Sequence, residues 1–373
     1  MHIDFKNSPR FLPHFLSGST PGNIWKLLKD NHFQVEGRFW PKLVLSILIA
    51  FFNLPFVWIE RLLYSRRIEK TEVPPPIFIL GYLRSGTTYL HYLLSKDPSL
   101  AFCKVYECMG PHVLFTSGRV MRNIGRLVLP KTRPMDNMEF GAEMPKEEEF
   151  AMCNIGPASM IHANFFPKNF RHYFRRTVTF EEGPEHEEVW KKDFLWLLKK
   201  LTLKNKGKRL LLKSPYNTGR LRVLKAMFPD AKFIYIHRHP HQVFSSNERL
   251  YEGILPELAL QTVGHEEMEE AIFYSYEETV KHYLREREGL PSSQLAEVAY
   301  GDFFKDQKGH LKRLYEQLGL GDFDSIWPHF QEYIVEQKGY KTNKYGLTPG
   351  QEKAVYARWK FAFDAFGYGS AGA

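Results

Sequence analysis

Three cations sit where short apolar runs give out: Arg84 after the run that begins at Ile77, Lys213 at the end of the run from Arg209, and Arg238 after the run from Lys232. Runs of this length and composition read as buried strands, and the ends of parallel strands in an α/β sheet are where ligands collect. Gly81 and Gly86 frame Arg84 at the spacing of a P-loop, and Ser85, Thr87 and Thr88 add hydroxyls. The stretch from Thr87 to Leu94 reads as a helix whose first N–H groups point at an anion. The chemistry on offer is the grip and polarisation of a phosphate-like group. Thr87 stands where an enzyme that cleaves nucleoside triphosphates carries the lysine it uses with Mg²⁺ on the β- and γ-phosphates. The departure favours a nucleotide without a transferable γ-phosphate and speaks against the rival reading, an ATP-using kinase.

These residues need a sheet to position them. Strands are predicted near 77–81, 101–106, 209–213, 232–237 and 296–300, with helical patterns between them. That alternation implies an α/β fold, a P-loop three-layer α/β/α arrangement around a central, mainly parallel sheet of about five strands. Pro74, Pro75 and Pro76 form a stiff break. Residues 1–73 are therefore expected to make a helical N-terminal segment, and residues 74–373 the main domain with inserted helices.

Over roughly residues 74 to 368 the chain resembles the sulfotransferases that use 3′-phosphoadenosine-5′-phosphosulfate (PAPS). The motifs are Arg-Ser-Gly-Thr-Thr from Arg84, Lys-Ser-Pro from Lys213, Arg238 with Ser246 eight residues on, Tyr300 closing an apolar run, and Arg-Pro-Met-Asp from Arg133 to Asp136. They resemble the bacterial and lipid-type branch. The resemblance implies that Arg84, Ser85, Gly86, Thr87 and Thr88 hold the 5′-phosphosulfate, that Arg238 and Ser246 hold the 3′-phosphate, and that Tyr300 lies against the adenine. Lys341 or Lys344 falls where family members close a basic loop over the 3′-phosphate. The chain departs from the pattern at Gly301, where an acidic residue is usual, and at Asn217, where many members of that branch have a histidine.

Sulfuryl transfer needs cations for the charge left on the phosphate, alignment, and a base. Arg84 and Lys213 are the candidate cations. Soluble small-molecule sulfotransferases place a histidine two residues after the lysine matching Lys213; here that place is Pro215, which cannot accept a proton. Glu107 resembles a glutamate of the tyrosylprotein and lipid-type members and is the candidate base. The acidic run Glu147, Glu148 and Glu149 is the competing source, although such a run reads as a solvated face. His237, His239 and His241 alternate without a fourth ligand spaced to join them, and PAPS chemistry calls for no metal.

The long interval between the second and third strands is the expected place for the acceptor. Met160, Ile161, Phe165, Phe166 and Phe170 would be ordinary core one by one, but together favour an acceptor with a large apolar body over a sugar. A formal charge of +9 suits an acidic ligand or surface, and no run resembles a nucleic-acid-binding motif. Three cysteines cannot build a disulfide framework, and no Asn-x-Ser/Thr acceptor occurs, which favours a reducing compartment. No secretory signal is evident at the start of the chain. Residues 43–59 are uncharged and interrupted only by Ser46, Asn53 and Pro55, with Trp40 and Trp58 near the ends and Arg61, Arg66, Arg67 and Lys70 beyond. Three placements fit this run: a helix lying in a membrane surface, a buried helix covering the acceptor pocket, or a short span.

The expectation is a cytoplasmic PAPS-dependent sulfotransferase, in peripheral contact with the inner face of a membrane if residues 43–59 reach it. Its acceptor would be a hydroxyl of a sterol, a quinone-derived lipid or another lipid alcohol. A non-catalytic lipid- or nucleotide-binding protein of the same fold is the rival from another class.

Overall fold

The chain is seen in a computed structural model that describes residues 1–6, 8–9, 12–130, 132, 139–337 and 346–369. It divides into two compact units, one of Met1–Val73, Phe102–Gly207 and Leu250–Ala271, the other of Pro74–Ala101, Lys208–Arg249 and Ile272–Ala373.

The second unit holds the sheet. Its strands are β1 (Ile77–Leu80), β2 (Leu100–Ala101), β3 (Arg209–Lys213), β4 (Lys232–His237) and β5 (Leu295–Ala299), in the order β2-β3-β1-β4-β5 with every pairing parallel. β1 is buried along its whole length and β3 and β4 over nearly all of theirs, as continuous apolar runs in a doubly covered sheet should be. The chain moves outward from β1 to β2 in one direction and from β3 to β4 and β5 in the other. Right-handed crossovers therefore place the helices on opposite faces, giving three layers with β1 at the switch point. The register sets Ile79 of β1 beside Lys213 of β3 and Leu80 beside Tyr235 of β4. The loop after β1 thus opens between the ends of β3 and β4.

One predicted strand is shorter than expected. Of residues 101–106, only Ala101 lies in a strand, and Val105–Met109 is a helix. The N–H of Lys104 donates to Glu107 Oε2 at 2.8 Å, so a carboxylate three residues on starts a helix inside what reads as an apolar strand.

The first unit is helical. Its longest element, Trp40–Glu69, runs for 30 residues with Pro55 inside it. The other long helix, Pro184–Lys204, begins at Gly183, with φ 139°, followed by proline in the first turn. It buries Trp190, Phe194, Leu197, Leu198 and Leu201, with Trp190 stacked on Phe194 at 4.5 Å. Met160, Ile161, Phe165, Phe166 and Phe170 are all buried, and Phe165 meets His14 edge-on at 4.5 Å. They pack as core, so their apolar character says nothing about an acceptor.

Candidate active site

The loop after β1 is held in a shape that side chains rarely permit. Gly81 has φ 141°, and a Cβ there would lie 2.4 Å from the Ile236 carbonyl oxygen. Gly86 has φ 101°, and a Cβ would strike the Tyr300 ring at 2.5 Å. Between them Arg84 adopts a left-handed φ of 69°, a conformation that costs a non-glycine residue about 1 kcal/mol or more. Thr218 holds the loop's start, its Oγ1 accepting from the Gly81 N–H at 2.8 Å, and Asn247 Nδ2 donates to the Leu83 carbonyl at 3.1 Å. Gly86 then caps the helix Thr87–Leu94 without a side-chain hydrogen bond, so the first N–H groups carry the positive end of the helix dipole.

The cations gather on this loop. Arg84 Nε donates to Ser246 Oγ at 2.9 Å, and Arg238 Nη1 lies 3.4 Å from the Arg84 carbonyl. Arg238 Nε donates to Gln242 Oε1 at 2.8 Å while its guanidinium lies over the Tyr300 ring at 4.6 Å. Burial raises the Tyr300 phenol, and Arg238 and Arg84 act against that rise, which places both charges near one ring. Lys213 is buried and its Nζ lies 3.4 Å from Thr88 Oγ1. His91, on the loop's helix, is pushed well below the usual histidine range by burial and then by Lys213, and so stays neutral. The structure thus brings together Arg84, Ser85, Gly86, Thr87, Thr88, Lys213, Arg238, Ser246 and Tyr300. It joins Ser246 to Arg84, where the motif spacing alone had paired it with Arg238. Lys341 and Lys344, like Arg133 and Asp136, lie outside the described residues.

A phosphate-bearing ligand fits what remains. Gly81 and Gly86 let the loop approach the Ile236 carbonyl and the Tyr300 ring, and Ser214, in the Lys-Ser-Pro turn, has a buried Oγ with no hydrogen-bond partner among the described residues. Asn217, at the departure from the bacterial branch, is buried and its Oδ1 accepts from Arg220 at 3.2 Å. It serves the turn and offers no base. The three alternating histidines turn to the C-terminal segment, the His239 and His241 ring centroids 5.2 Å apart. His237 Nδ1 meets the Tyr368 hydroxyl at 2.8 Å, His239 Nε2 lies 3.3 Å from the Gly369 carbonyl, and His241 Nε2 lies 3.2 Å from that of Glu352. Each ties down the C-terminal segment.

In the first unit Glu107 is buried, and its second oxygen accepts from Lys204 Nζ at 2.7 Å. The same ammonium also meets the Tyr106 hydroxyl and lies 4.3 Å over that ring. Glu107 therefore caps a helix and pairs with a lysine. Glu148 and Glu149 are buried too, which corrects the reading of the acidic run as a solvated face. Glu149 Oε1 accepts from Ser159 Oγ at 2.9 Å and from the Met160 N–H at 2.8 Å, partners that a local charge pattern cannot reveal.

Residues 75–325 match the sulfotransferase family. Over 344 residues, 92% of this chain and 88% of the relative, the sequence is 31% identical to omega-hydroxy-beta-dihydromenaquinone-9 sulfotransferase Stf3 of Mycobacterium bovis and, equally, of Mycobacterium tuberculosis. The chain belongs to the sulfotransferase family. It is a PAPS-dependent sulfotransferase of the bacterial, lipid-type branch. Its fold is similar to that of crystallised sulfotransferase STF1 of Mycobacterium tuberculosis (TM-score 0.63, 18% identity, 92% of this chain and 93% of that one). It is also similar to STF9 of Mycobacterium avium (TM-score 0.64, 20% identity, 98% and 89%).

Several supports of this sulfotransferase's loop escaped sequence reading. Thr218, Gln242 and Asn247 bond to loop or arginine atoms, yet none belongs to a motif of recognisable spacing. Lys204 could have been suspected, since it stands four residues after Lys200 on a helix, but its partner Glu107 is 97 positions away.

Proposed function

We propose that this sulfotransferase moves the sulfuryl group of PAPS to a hydroxyl of an apolar acceptor drawn from a membrane, a lipid alcohol of the quinone-derived kind, and releases the sulfate ester and 3′-phosphoadenosine-5′-phosphate (PAP). The acceptor oxygen forms a bond to sulfur, the bond from sulfur to the 5′-phosphate oxygen breaks, and the hydroxyl proton passes to a base. Arg84, Ser85, Gly86, Thr87 and Thr88 are the candidates to hold the 5′ end. Arg84 and Lys213 would stabilise the charge on the leaving phosphate, Arg238 and Ser246 would grip the 3′-phosphate, and Tyr300 would lie against the adenine. Glu107 is the candidate base.

The observation that carries the lipid part of this reading is the helix Trp40–Glu69, which is turned inside out. Its buried stripe includes Lys42, Ser46 and Glu60, whereas Leu48, Phe51, Phe52, Trp58, Leu62 and Leu63 are exposed. Lys42 Nζ is held by the carbonyls of Glu257 at 3.1 Å and Ala259 at 2.9 Å, and Glu60 pairs with Lys200. Gly37–Glu69 is long and apolar enough to cross a membrane. A helix held to its own protein by a lysine and a glutamate instead lies along the surface, apolar side outward. Cys103, Cys108 and Cys153 are free and buried, which supports a cytoplasmic site at the inner face. The relatives named for a dihydromenaquinone substrate support the acceptor class.

Mass spectrometry after incubation with PAPS and either a hydroxylated long-chain prenyl quinol in vesicles or soluble sugar alcohols tests the proposal. Sulfation of the quinol alone is expected, and abolished in Arg84→Ala. Preferential sulfation of the sugar alcohols would overturn it.

A further inference from the structure

A second helix of the first unit also turns an apolar face outward. In Gly118–Val128, the exposed Val120, Ile124, Leu127 and Val128 fall at i, i+4, i+7 and i+8, one face of a helix. Gly118 and Gly125 are buried, and a Cβ at Gly125 would lie 3.0 Å from that of Ala142. The helix therefore seats its small residues and shows its large ones. Arg119 and Arg126 are exposed and fall to one side of the apolar face, with Glu143 bridging Arg126 and Arg122, the latter at 3.8 Å.

This helix is tied to the long one at its approach. Glu60 accepts from the N–H groups of Leu114 at 3.1 Å, Phe115 at 2.8 Å and Thr116 at 3.0 Å, and from the Thr116 hydroxyl at 3.0 Å. The Phe115 ring stacks on Tyr64 at 4.5 Å. A glutamate that would be out of place in a lipid-facing helix thus has a use on the inner face: it fastens the segment that leads into the second apolar face.

We infer that Gly118–Val128 and Trp40–Glu69 form a two-part docking surface for an anionic lipid bilayer. The inference deepens the membrane reading above and rests on it. Charge complementarity selects the occupant. The exposed Arg61, Arg66, Arg67 and Lys70 end the long helix, Arg119 and Arg126 flank the short one, and the chain carries +9 overall. Apolar side chains rimmed by arginines suit acyl chains beneath negative headgroups. Two contacts also answer an energetic need, because single weak membrane anchors bind only marginally.

Vesicle flotation of the full chain tests this, with neutral phosphatidylcholine and with phosphatidylglycerol-containing vesicles as the probes. Binding is expected to favour the anionic vesicles and to weaken as salt rises. Leu127 is 86% and Leu62 85% exposed, so Leu127→Glu and Leu62→Glu should fold, which an unchanged PAP affinity confirms. Each should weaken vesicle binding by at least about tenfold, and Arg119→Glu should weaken the anionic vesicles alone by about fivefold or more. Wild-type binding by Leu127→Glu alongside loss in Leu62→Glu would remove the second helix and leave the lipid-acceptor reading standing. Concentration-dependent dimerisation in place of vesicle binding, abolished by Leu127→Glu, would make the occupant a second copy of the chain and overturn the inference. Sulfation of the quinol is read separately, so failure of the acceptor reading remains distinguishable from failure of docking.

Discussion

The two units place their charges differently. At the sheet ends Arg84, Lys213 and Arg238 are brought to one loop, which two glycines let pack against the Ile236 carbonyl and the Tyr300 ring. In the helical unit two buried glutamates are matched with lysines, Glu60 with Lys200 and Glu107 with Lys204, the two lysines four residues apart on one helix. Cations gathered at strand ends around one loop mark a candidate site for an anion. A matched buried pair supports the fold and is strongly destabilising to break from one side. Lys200 is pulled down to about 8, by burial first, with Glu60 acting in the opposite sense, which shows how much of its charge depends on that partner. The buried glutamates are thus ambiguous in a way the arginines are not, and Glu107 is where the comparison is weakest.

Glu107→Gln offers the largest effect. Glutamine keeps an oxygen for the Lys104 N–H and loses the charge opposite Lys204. As the general base, Glu107 should cost about 10² to 10⁴ in single-turnover rate when replaced, with PAP affinity unchanged. Near-normal turnover in Glu107→Gln, with loss in Glu148→Gln while folding and PAP binding survive, would move the base to the buried acidic run. Glu107 would then be a matched charge and nothing more, and the contrast between the units would be complete.

Arg238→Ala probes the other side. Losing a charge-assisted contact costs about 1.5–3 kcal/mol, so PAP should bind roughly one to two decades more weakly in calorimetry, while AMP, which lacks the 3′-phosphate, should hardly change. Equal losses for both nucleotides would mean that Arg238 serves the loop through its contact with the Arg84 carbonyl and not the 3′-phosphate.

The difference in legibility follows the same division. The sheet-end site could be read because its parts are local: a loop of six residues, and strand ends whose alignment follows from parallel pairing once the runs are seen. The helical unit could not. Glu60 and Lys200 are 140 positions apart, and long-range contacts such as theirs and those of Lys42 show which face of the apolar run at 43–59 turns inward. The apolar content of that run was plain; its orientation was a tertiary fact. Local rules also failed where a side chain overrode them, as Glu107 did in turning a predicted strand into a helix and Ser159 did in burying Glu149. In Gly118–Val128 the helical spacing of Val120, Ile124, Leu127 and Val128 is present in the sequence, but that this face turns outward is a tertiary fact.

The smallest effect tests whether the helical unit is as closely matched in charge as its ion pairs imply. His112 is half-buried beside Lys200, and its Nε2 lies 3.1 Å from the Asn154 carbonyl, to which the neutral ring donates. Burial first, and Lys200 second, pull its pKa down to about 4 from the ordinary 6.5. Above pH 6.5 the ring is neutral folded and unfolded, and it contributes nothing to the pH dependence. Between 6.5 and 4 the unfolded chain takes up a proton that the folded chain refuses, so stability falls as the pH drops through that window. At pH 5.5, about one unit below the unfolded value, the loss is on the order of 1 kcal/mol. His112→Gln retains a donor for Asn154 and removes the titration. Urea unfolding at pH 7.5 and 5.5 should show the variant losing on the order of 1 kcal/mol less than the wild type over that interval. His14 and His162 are likewise held low by burial, but they remain in both proteins and cancel in the difference. An identical pH dependence in the two proteins would mean that the folded unit accepts a proton next to Lys200 without penalty. Its interior would then tolerate the like charges that the comparison reserves for the sheet ends.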